Sequence, residues 1–362
     1  MKIVTVVGAR PQFIKAAMVS HVLRKKHDEV LIHTGQHYDY NMSEAFFKEL
    51  DIPTPDYNLG ISGGTHAEMT GRMMISIEKT LVKEKPDWLL VYGDTNSTLA
   101  AALAAAKLHI PICHVEAGGR THSRTNPEEI NRICTDHISS LLLASSASGM
   151  EEMRKENIGD HAILVGDPMY DAFVKYSRQL SMEDIRLKML SGDTCRLPDA
   201  FYYLTCHREE NTNRDDDLRE ILMAMEELES KVIYPVHPRN QARVKKISSQ
   251  MKLQNTIFTE PIGYLESMCL LRNAKKIITD SGGLQREAFF AGKKCVTLLD
   301  FVVWPETMVD NRNNLSRPIK QDILMALALE QKVDITYKPF GDGYAAEKIL
   351  NALERSSVVK VI

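Results

Sequence analysis

Short apolar runs alternate with amphipathic stretches along nearly the whole chain. Lys2–Val7, Glu29–His33, Trp88–Tyr92, Ile112–Val115, Leu141–Ala144 and Ala162–Val165 form one series of candidate strands. Phe201–Thr205, Val232–Val236, Thr256–Thr259, Lys276–Thr279 and Cys295–Leu299 form a second. Most are continuously apolar and do not alternate, as parallel strands covered on both faces do. Helical spacing between them predicts helices over Gln12–Arg24, Met42–Leu50, His66–Lys83, Thr98–Lys107, Glu128–His137, Asp216–Glu229 and Gln241–Gln250. This strand–helix order predicts an α/β architecture with right-handed crossovers. The pattern thins between Asp171 and Pro198, where Ser181-Met182-Glu183-Asp184 and Ser191-Gly192-Asp193 are polar or turn-forming. We read a junction there, between two units of similar content. Ligands of such sheets bind at the carboxyl ends of strands, so a two-unit version would turn both carboxyl edges toward a common cleft.

Composition narrows the function classes. The 362 residues suggest two domains or one large one, and 44% hydrophobic with 26% charged residues is ordinary for a globular chain. A net charge of −3 provides no basic field for a polyanion, which argues against nucleic acid as a partner. Met1–Val7 carries one basic residue and meets Gly8-Ala9-Arg10 at once, so it reads as a first buried strand and not a signal peptide. No apolar run approaches about 18 residues, so no membrane-spanning helix is expected. The six cysteines form no C-x-x-C pair and several sit in apolar runs, which suggests buried reduced thiols and a cytoplasmic setting. His33 and His37 have H-x3-H spacing, but Thr34-Gly35 breaks any helix between them, and we expect no metal.

The chemistry gathers where apolar runs end. Ile277-Ile278-Thr279 runs into Asp280-Ser281-Gly282-Gly283 and then a helical pattern. A strand turning through glycines into a helix aims unpaired N–H groups at one point and lets a phosphate approach closely. Ser281 adds a hydroxyl, and Glu287, one turn on, suits a sugar diol; the ordinary alternative is a tight turn with a solvent-facing Glu. Gly8-Ala9-Arg10-Pro11 and Lys15 flank the opening of the first helix, where Arg10 could fork onto a phosphate or stay solvated with Lys15. Asp94 follows a buried strand, and Thr95, Asn96 or Ser97 could cap the next helix in its place. Glu116 ends the run His114–Ala117; there it is either a desolvated acid/base group or a structural Glu paired with Arg120. In Pro127-Glu128-Glu129, the dipole accounts for Glu129, while Glu128 and Arg132 share a helix face. His207 beside Arg208 and His237 beside Arg239 each follow an apolar run directly and suggest a wall facing a polyanion.

Taken together and in this order, these motifs resemble the family of non-hydrolysing UDP-N-acetylglucosamine 2-epimerases, from Gly8-Ala9-Arg10-Pro11 to Pro339-Phe340-Gly341-Asp342-Gly343. The resemblance includes Gly93-Asp94-Thr95, Val115-Glu116-Ala117-Gly118, Pro127-Glu128-Glu129-x-Asn131-Arg132, His207-Arg208-Glu209, Val236-His237-Pro238 and Thr279–Gly283. It implies a GT-B-like α/β fold of two Rossmann-like domains with a cleft between them. The domains would be 1–170 plus a C-terminal helix at about 345–362, and 171–344. It implies inversion at C2 of a UDP-linked 2-acetamido sugar, UDP-GlcNAc to UDP-ManNAc, through a 2-acetamidoglucal and without NAD, metal or other cofactor. Asp94, Glu116 and Glu128 would be the carboxylates, with acid and base unassigned, and His207 would face the leaving group. Arg10, Ser281, Gly282 and Gly283 would hold the diphosphate and Glu287 the ribose, with Lys15, Arg132 and His237 in support.

The resemblance further implies a homodimer and a supply of precursors for cell-wall or capsule polysaccharide. The helix Met69–Lys83 is a candidate contact face, with ordinary core packing as the alternative. The chain departs from the common pattern at Gly119-Arg120, where the family usually has Leu-Arg, in a shorter loop up to Pro127, and at Val302–Glu306, usually more polar. Gln36-His37 matches a region that binds an activating UDP-sugar in some members, with Asp39 at a usually uncharged position. The Gly-Ala-Arg-Pro-Gln-Phe opening is also similar to a branch acting on UDP-2,3-diacetamido-2,3-dideoxyglucuronic acid. A hydrolysing epimerase, a GT-B glycosyltransferase and a non-enzymatic UDP-sugar sensor are the other readings of the same motifs.

Overall fold

A computed structural model describes residues 1–36, 46–123 and 125–358. His37, Asp39 and residues 42–45 of the helix expected over Met42–Leu50 lie outside the described residues. The chain divides into two compact units, Met1–Val174 with Lys338–Ile362, and Lys175–Tyr337.

The first unit is built on β1 (Lys2–Val7), β2 (Asp28–His33), β3 (Tyr57–Asn58), β4 (Trp88–Tyr92), β5 (Ile112–Ala117), β6 (Leu141–Ala144) and β7 (Ala162–Leu164). They form one parallel sheet in the order β3-β2-β1-β4-β5-β6-β7. Its helices are α1 (Arg10–Leu23), α2 (His66–Glu84), α3 (Asn96–Lys107), α4 (Pro127–Ile138), α5 (Ala147–Lys155) and α6 (Pro168–Tyr176). The β-branched runs of β1, β2 and β4 bury Val4, Val6, Ile32 and Val91 against Ala100–Ala105 of α3 and Met73, Ile77 and Leu81 of α2. Small alanines bring α3 close to the sheet, which is what a strand covered on both faces requires.

The second unit contains a two-stranded hairpin, β8 (Leu187–Lys188) and β9 (Thr194–Cys195), and a parallel sheet. Its strands are β10 (Phe201–Thr205), β11 (Lys231–Pro235), β12 (Thr256–Thr259), β13 (Ile277–Thr279), β14 (Cys295–Thr297) and β15 (Asn313–Leu315), in the order β12-β11-β10-β13-β14-β15. The helices are α7 (Glu209–Thr212), α8 (Asp215–Glu226), α9 (Gln241–Met251), α10 (Tyr264–Asn273), α11 (Gly282–Phe290) and α12 (Lys320–Ala328). The last helix, α13 (Ala345–Val358), belongs to the first unit, where Glu354 meets Lys26 and His27 at 3.3 and 3.2 Å. Its first turn is capped from α6 by Asp171, which accepts the N–H groups of Ala345 and Ala346 at 3.1 and 2.8 Å.

In both parallel sheets the strand order reverses beside the sheet's first strand, between β1 and β4 and between β10 and β13. Such reversals open a crevice at the carboxyl ends of the strands. Gly8 and Gly93 follow β1 and β4; Cys206–Arg208 and Asp280–Gly283 follow β10 and β13. All eleven anticipated strands are present, six with shifted ends. β3, β8, β9 and β15 were not anticipated because they are two or three residues long and half polar, too short for an apolar run. All six cysteines are free; four are buried, Cys195 is half-buried and Cys134 is exposed on α4.

Candidate active site

In the first unit the turns after β1, β4 and β5 converge. Gly8 is required there: a Cβ on it would lie 2.2 Å from Ser97 Oγ and 2.3 Å from Thr34 Oγ1. Gln12 ties the turns together. Its Oε1 accepts from Gly8 N and Ala9 N, and its Nε2 donates to the Tyr92 carbonyl at 2.7 Å and to Thr98 Oγ1 at 2.9 Å. Thr95 caps α3 by accepting from Thr98 N, which leaves the Asp94 carboxylate outside the cap. Asp94 Oδ2 accepts instead from Arg132 Nε of α4 at 2.9 Å, and the Asp94 carbonyl from Asn131 at 2.9 Å.

Glu116 is not the last residue of its strand. It sits at a bulge between Val115 and Ala117, with φ of +72°. A left-handed conformation at a non-glycine residue costs roughly 1–3 kcal/mol, and bulges re-aim side chains. The carboxylate is buried and paired with Lys15, whose side chain is only 2% exposed. The alternative partner, Arg120, is excluded. It reaches Asp136 at 2.8 Å and Glu156 at 2.7 Å. Burial pulls the Arg132 guanidinium down, but Asp94, Glu129 and Glu116 outweigh burial and hold it above its ordinary value. Arg132 also pairs with Glu129, which accepts the Thr121 and His122 N–H groups. It does not pair with Glu128, although the two share a face. Glu128 is half-buried and has no polar partner among the described residues. Arg10 opens α1 with its guanidinium 4.3 Å from the centre of the Phe46 ring.

In the second unit Asp280 is the organising group, and sequence reasoning assigned it no role. Its buried carboxylate accepts the backbone N–H groups of His207 and Arg208, both at 2.8 Å, and lies 2.9 Å from His207 Nδ1. Burial favours the neutral acid, but the His207 charge and these hydrogen bonds prevail and hold Asp280 at about 2. His207 keeps 43% of its side chain exposed, and the His237 ring stacks on it at 6.2 Å. Arg239 is occupied by the His207 carbonyl and Glu209, so it is not the open polyanion contact the sequence suggested. Ser281 is the N-cap of α11, accepting from Leu284 N at 3.3 Å. Gly282 and Gly283 form the first turn, and their N–H groups have no acceptor among the described residues. Gly282 is not left-handed; a Cβ there would find its first neighbour at 3.7 Å, so its value is open approach rather than turn geometry. Glu287, one turn into α11, is buried.

A family model described as UDP-N-acetylglucosamine 2-epimerase matches residues 21–354. The chain belongs to this family. Among the epimerase relatives, a UDP-N-acetylglucosamine 2-epimerase homolog of Methanococcus maripaludis is 45% identical over 98% of this chain and 99% of its own. The UDP-2,3-diacetamido-2,3-dideoxy-D-glucuronate 2-epimerase of Pseudomonas aeruginosa is 41% identical over 98% of this chain and all of its own. The crystal structure of Methanocaldococcus jannaschii UDP-GlcNAc 2-epimerase, in complex with UDP-GlcNAc and UDP, superposes with a TM-score of 0.86 at 37% identity, covering 98% of this chain and 100% of that one. The two parallel-sheet units are thus the Rossmann-like pair of a GT-B-like epimerase fold.

Four features of this epimerase-family chain escaped sequence reasoning: Gln12 as a stitch between turns, the bulge at Glu116, the Asp280–His207 pair, and a buried pair of His114 with Asp136 at 2.7 Å. Asp280 had a signal, since it stands in the quoted Asp-Ser-Gly-Gly run. The others depend on contacts between residues far apart in the chain. No group of three or more His, Cys, Asp or Glu suited to a metal occurs among the described residues, and no helix among them is long and apolar enough to cross a membrane.

Proposed function

We propose that this chain is a non-hydrolysing epimerase that inverts C2 of a UDP-linked 2-acetamido sugar, UDP-N-acetylglucosamine to UDP-N-acetylmannosamine. The proton at C2 is not acidic, so the C1–O bond breaks first or together with proton loss. UDP leaves with the bonding pair, a base takes the C2 proton, and 2-acetamidoglucal remains. UDP then returns to C1 while an acid delivers a proton to the other face of C2. Both half-reactions are redox-neutral, so the balance requires no hydride acceptor.

The observation that carries this reading is the set of three carboxylates in the first unit: Asp94 after β4, Glu116 at the bulge of β5 and Glu128 in the first turn of α4. Asp94 is held by Arg132 and Glu116 by Lys15, while Glu128 meets no cation among the described residues. Carboxylates can stabilise an oxocarbenium-like state, and carboxylates on the two sides of the ring can take and return the C2 proton. Asp94, Glu116 and Glu128 are accordingly the proton-transfer and charge-stabilising groups. His207, oriented by Asp280, serves the departing diphosphate, with His237 against its ring. Ser281, Gly282, Gly283 and Arg10 bind the diphosphate and Glu287 the ribose.

The test is Asp94→Asn and Glu116→Gln: each abolishes C2 epimerisation while UDP still binds. Loss of UDP binding with the fold intact would count against these roles. A second reading has a specific observation behind it. The P. aeruginosa relative that acts on UDP-2,3-diacetamido-2,3-dideoxy-D-glucuronate is 41% identical, and the same site would serve that sugar in the same reaction. Under either reading the enzyme acts in the cytoplasm as a homodimer and supplies polysaccharide assembly. α2 buries Met73, Ile77 and Leu81 in its own unit and exposes Ile75 and Val82 for such a contact.

A further inference from the structure

The buried pair His114–Asp136 takes no part in the chemistry above, yet it touches both strand ends that carry Asp94 and Glu116. His114 lies in β5 and is wholly buried. Its Nε2 is 2.7 Å from the carbonyl oxygen of Gly93, the residue before Asp94. Its Nδ1 is 2.7 Å from Asp136 Oδ1 on α4. The other oxygen, Asp136 Oδ2, accepts the N–H of Gly118, two residues past Glu116, at 3.1 Å. It also accepts from Arg120 Nη1 at 2.8 Å.

A carbonyl oxygen only accepts, so His114 Nε2 carries a hydrogen. The ring is held at both nitrogens, by the Gly93 carbonyl and by Asp136, and turning it breaks at least one bond. The Arg120 charge is answered in turn by Glu156. Buried ionic groups of this kind add little stability over apolar packing of the same volume. What this one supplies is direction.

The backbone on either side needs direction. Gly93 has φ of +60°, Glu116 +72° and Gly118 +84°. A Cβ on Gly118 would lie 2.3 Å from the carbonyl oxygen of Gly149 in α5. A glutamate holds a left-handed conformation only where its surroundings over-determine it. Here the Gly93 carbonyl is gripped on one side and the Gly118 N–H on the other, by one side-chain pair.

We infer that His114, locked by Asp136, is a positioning residue for the epimerisation: it aims Asp94 through the Gly93 turn and, through Asp136, aims Glu116 through the bulge before Gly118. The inference rests on the reading that Asp94 and Glu116 act at C2. It separates geometry from charge. Asp136→Asn keeps both contacts, because the amide NH2 can donate to His114 Nδ1 while its oxygen accepts from Gly118. His114→Phe keeps the volume of the ring and removes both contacts, and His114→Gln can restore the one to Gly93.

The experiment compares wild type with these three variants by initial rates of C2 deuterium incorporation, KM, UDP affinity and thermal midpoint. A misplacement on the order of 1 Å costs about 100-fold in rate, so His114→Phe is expected to lose about that much kcat with KM and UDP affinity unchanged. His114→Gln should recover part of it, and Asp136→Asn should lose several-fold less than His114→Phe. A folded His114→Phe with the wild-type kcat and only a lower thermal midpoint overturns the inference, because a purely structural role moves stability alone. If that variant does not fold, His114→Gln against Asp136→Asn carries the test, and equal, wild-type kcat in both overturns it. Wild type that exchanges no C2 proton in any UDP-2-acetamido sugar sinks the functional reading, and the inference with it; exchange by wild type and unaltered exchange by the variants sinks the inference alone.

Discussion

Asp280→Asn separates the orientation of His207 from the folding of its strand. The carboxylate is fully buried and receives two backbone N–H bonds at 2.8 Å on Oδ2, with His207 Nδ1 at 2.9 Å from Oδ1. In the variant the amide oxygen can keep both backbone bonds, so the fold survives. Its NH2 then faces Nδ1, which must accept, and the imidazole is restricted to its neutral Nε2–H form. A histidine so restricted cannot carry positive charge beside a departing diphosphate. The magnitude follows from the contact that is lost: a hydrogen bond to a charged group contributes about 1.5–3 kcal/mol, and losing about 2 kcal/mol in the transition state lowers kcat about 30-fold. KM should change little, since Ser281, Gly282 and Gly283 are untouched. The assay is kcat and KM for C2 epimerisation, with UDP affinity by calorimetry and folding by circular dichroism. A folded variant with kcat within about threefold of wild type refutes the reasoning. Asp280, held at about 2 against an ordinary 3.8, also makes a stability statement. The Asp280 contribution is complete above pH 4 and disappears as pH falls through about 2, so wild type should lose its stability advantage over the variant across that window.

Asp171 behaves oppositely: burial raises it to about 6 from 3.8, with Glu347 and Asp167 adding to the rise against its bonds to Ala345 and Ala346. The folded state then holds the proton more tightly, and stability falls as pH rises from about 4 to 6. Two pH units amount to about 3 kcal/mol, so denaturant melts of wild type should lose about that much relative to Asp171→Asn across the window; parallel curves would contradict it. Gly118→Ala introduces a Cβ 2.3 Å from the Gly149 carbonyl oxygen at a φ of +84°. It should lower stability by more than about 3 kcal/mol in urea melts, and a loss under about 1 kcal/mol would mean that α5 yields there.

Much of the architecture was legible because parallel strands covered on both faces write themselves as continuous apolar runs. Trp88–Tyr92 and Leu141–Ala144 were readable to the residue. The site was legible for a related reason. A polar residue at the end of such a run, as Asp94 one glycine past Tyr92 and Asp280 next to Thr279, stands at a carboxyl edge whatever its partners. The partners were not legible. Arg120 pairs with Asp136 and Glu156 rather than Glu116, and Arg132 with Asp94 and Glu129 rather than Glu128, because these choices are made by how helices and strands pack and not by spacing in the sequence alone. The extra residue at Glu116 was invisible for another reason. A bulge keeps the apolar run intact and changes only the direction of one side chain.

The central claim is tested most directly by incubating the wild-type chain with UDP-N-acetylglucosamine in D2O and following the sugar by proton NMR. The C2 proton signal should disappear while a second UDP-sugar grows in, with no free UDP accumulating and no cofactor added. Repeating it with UDP-2,3-diacetamido-2,3-dideoxyglucuronic acid decides which sugar turns over faster. Stoichiometric release of UDP and free sugar, or an unexchanged C2 proton in both substrates, would contradict it.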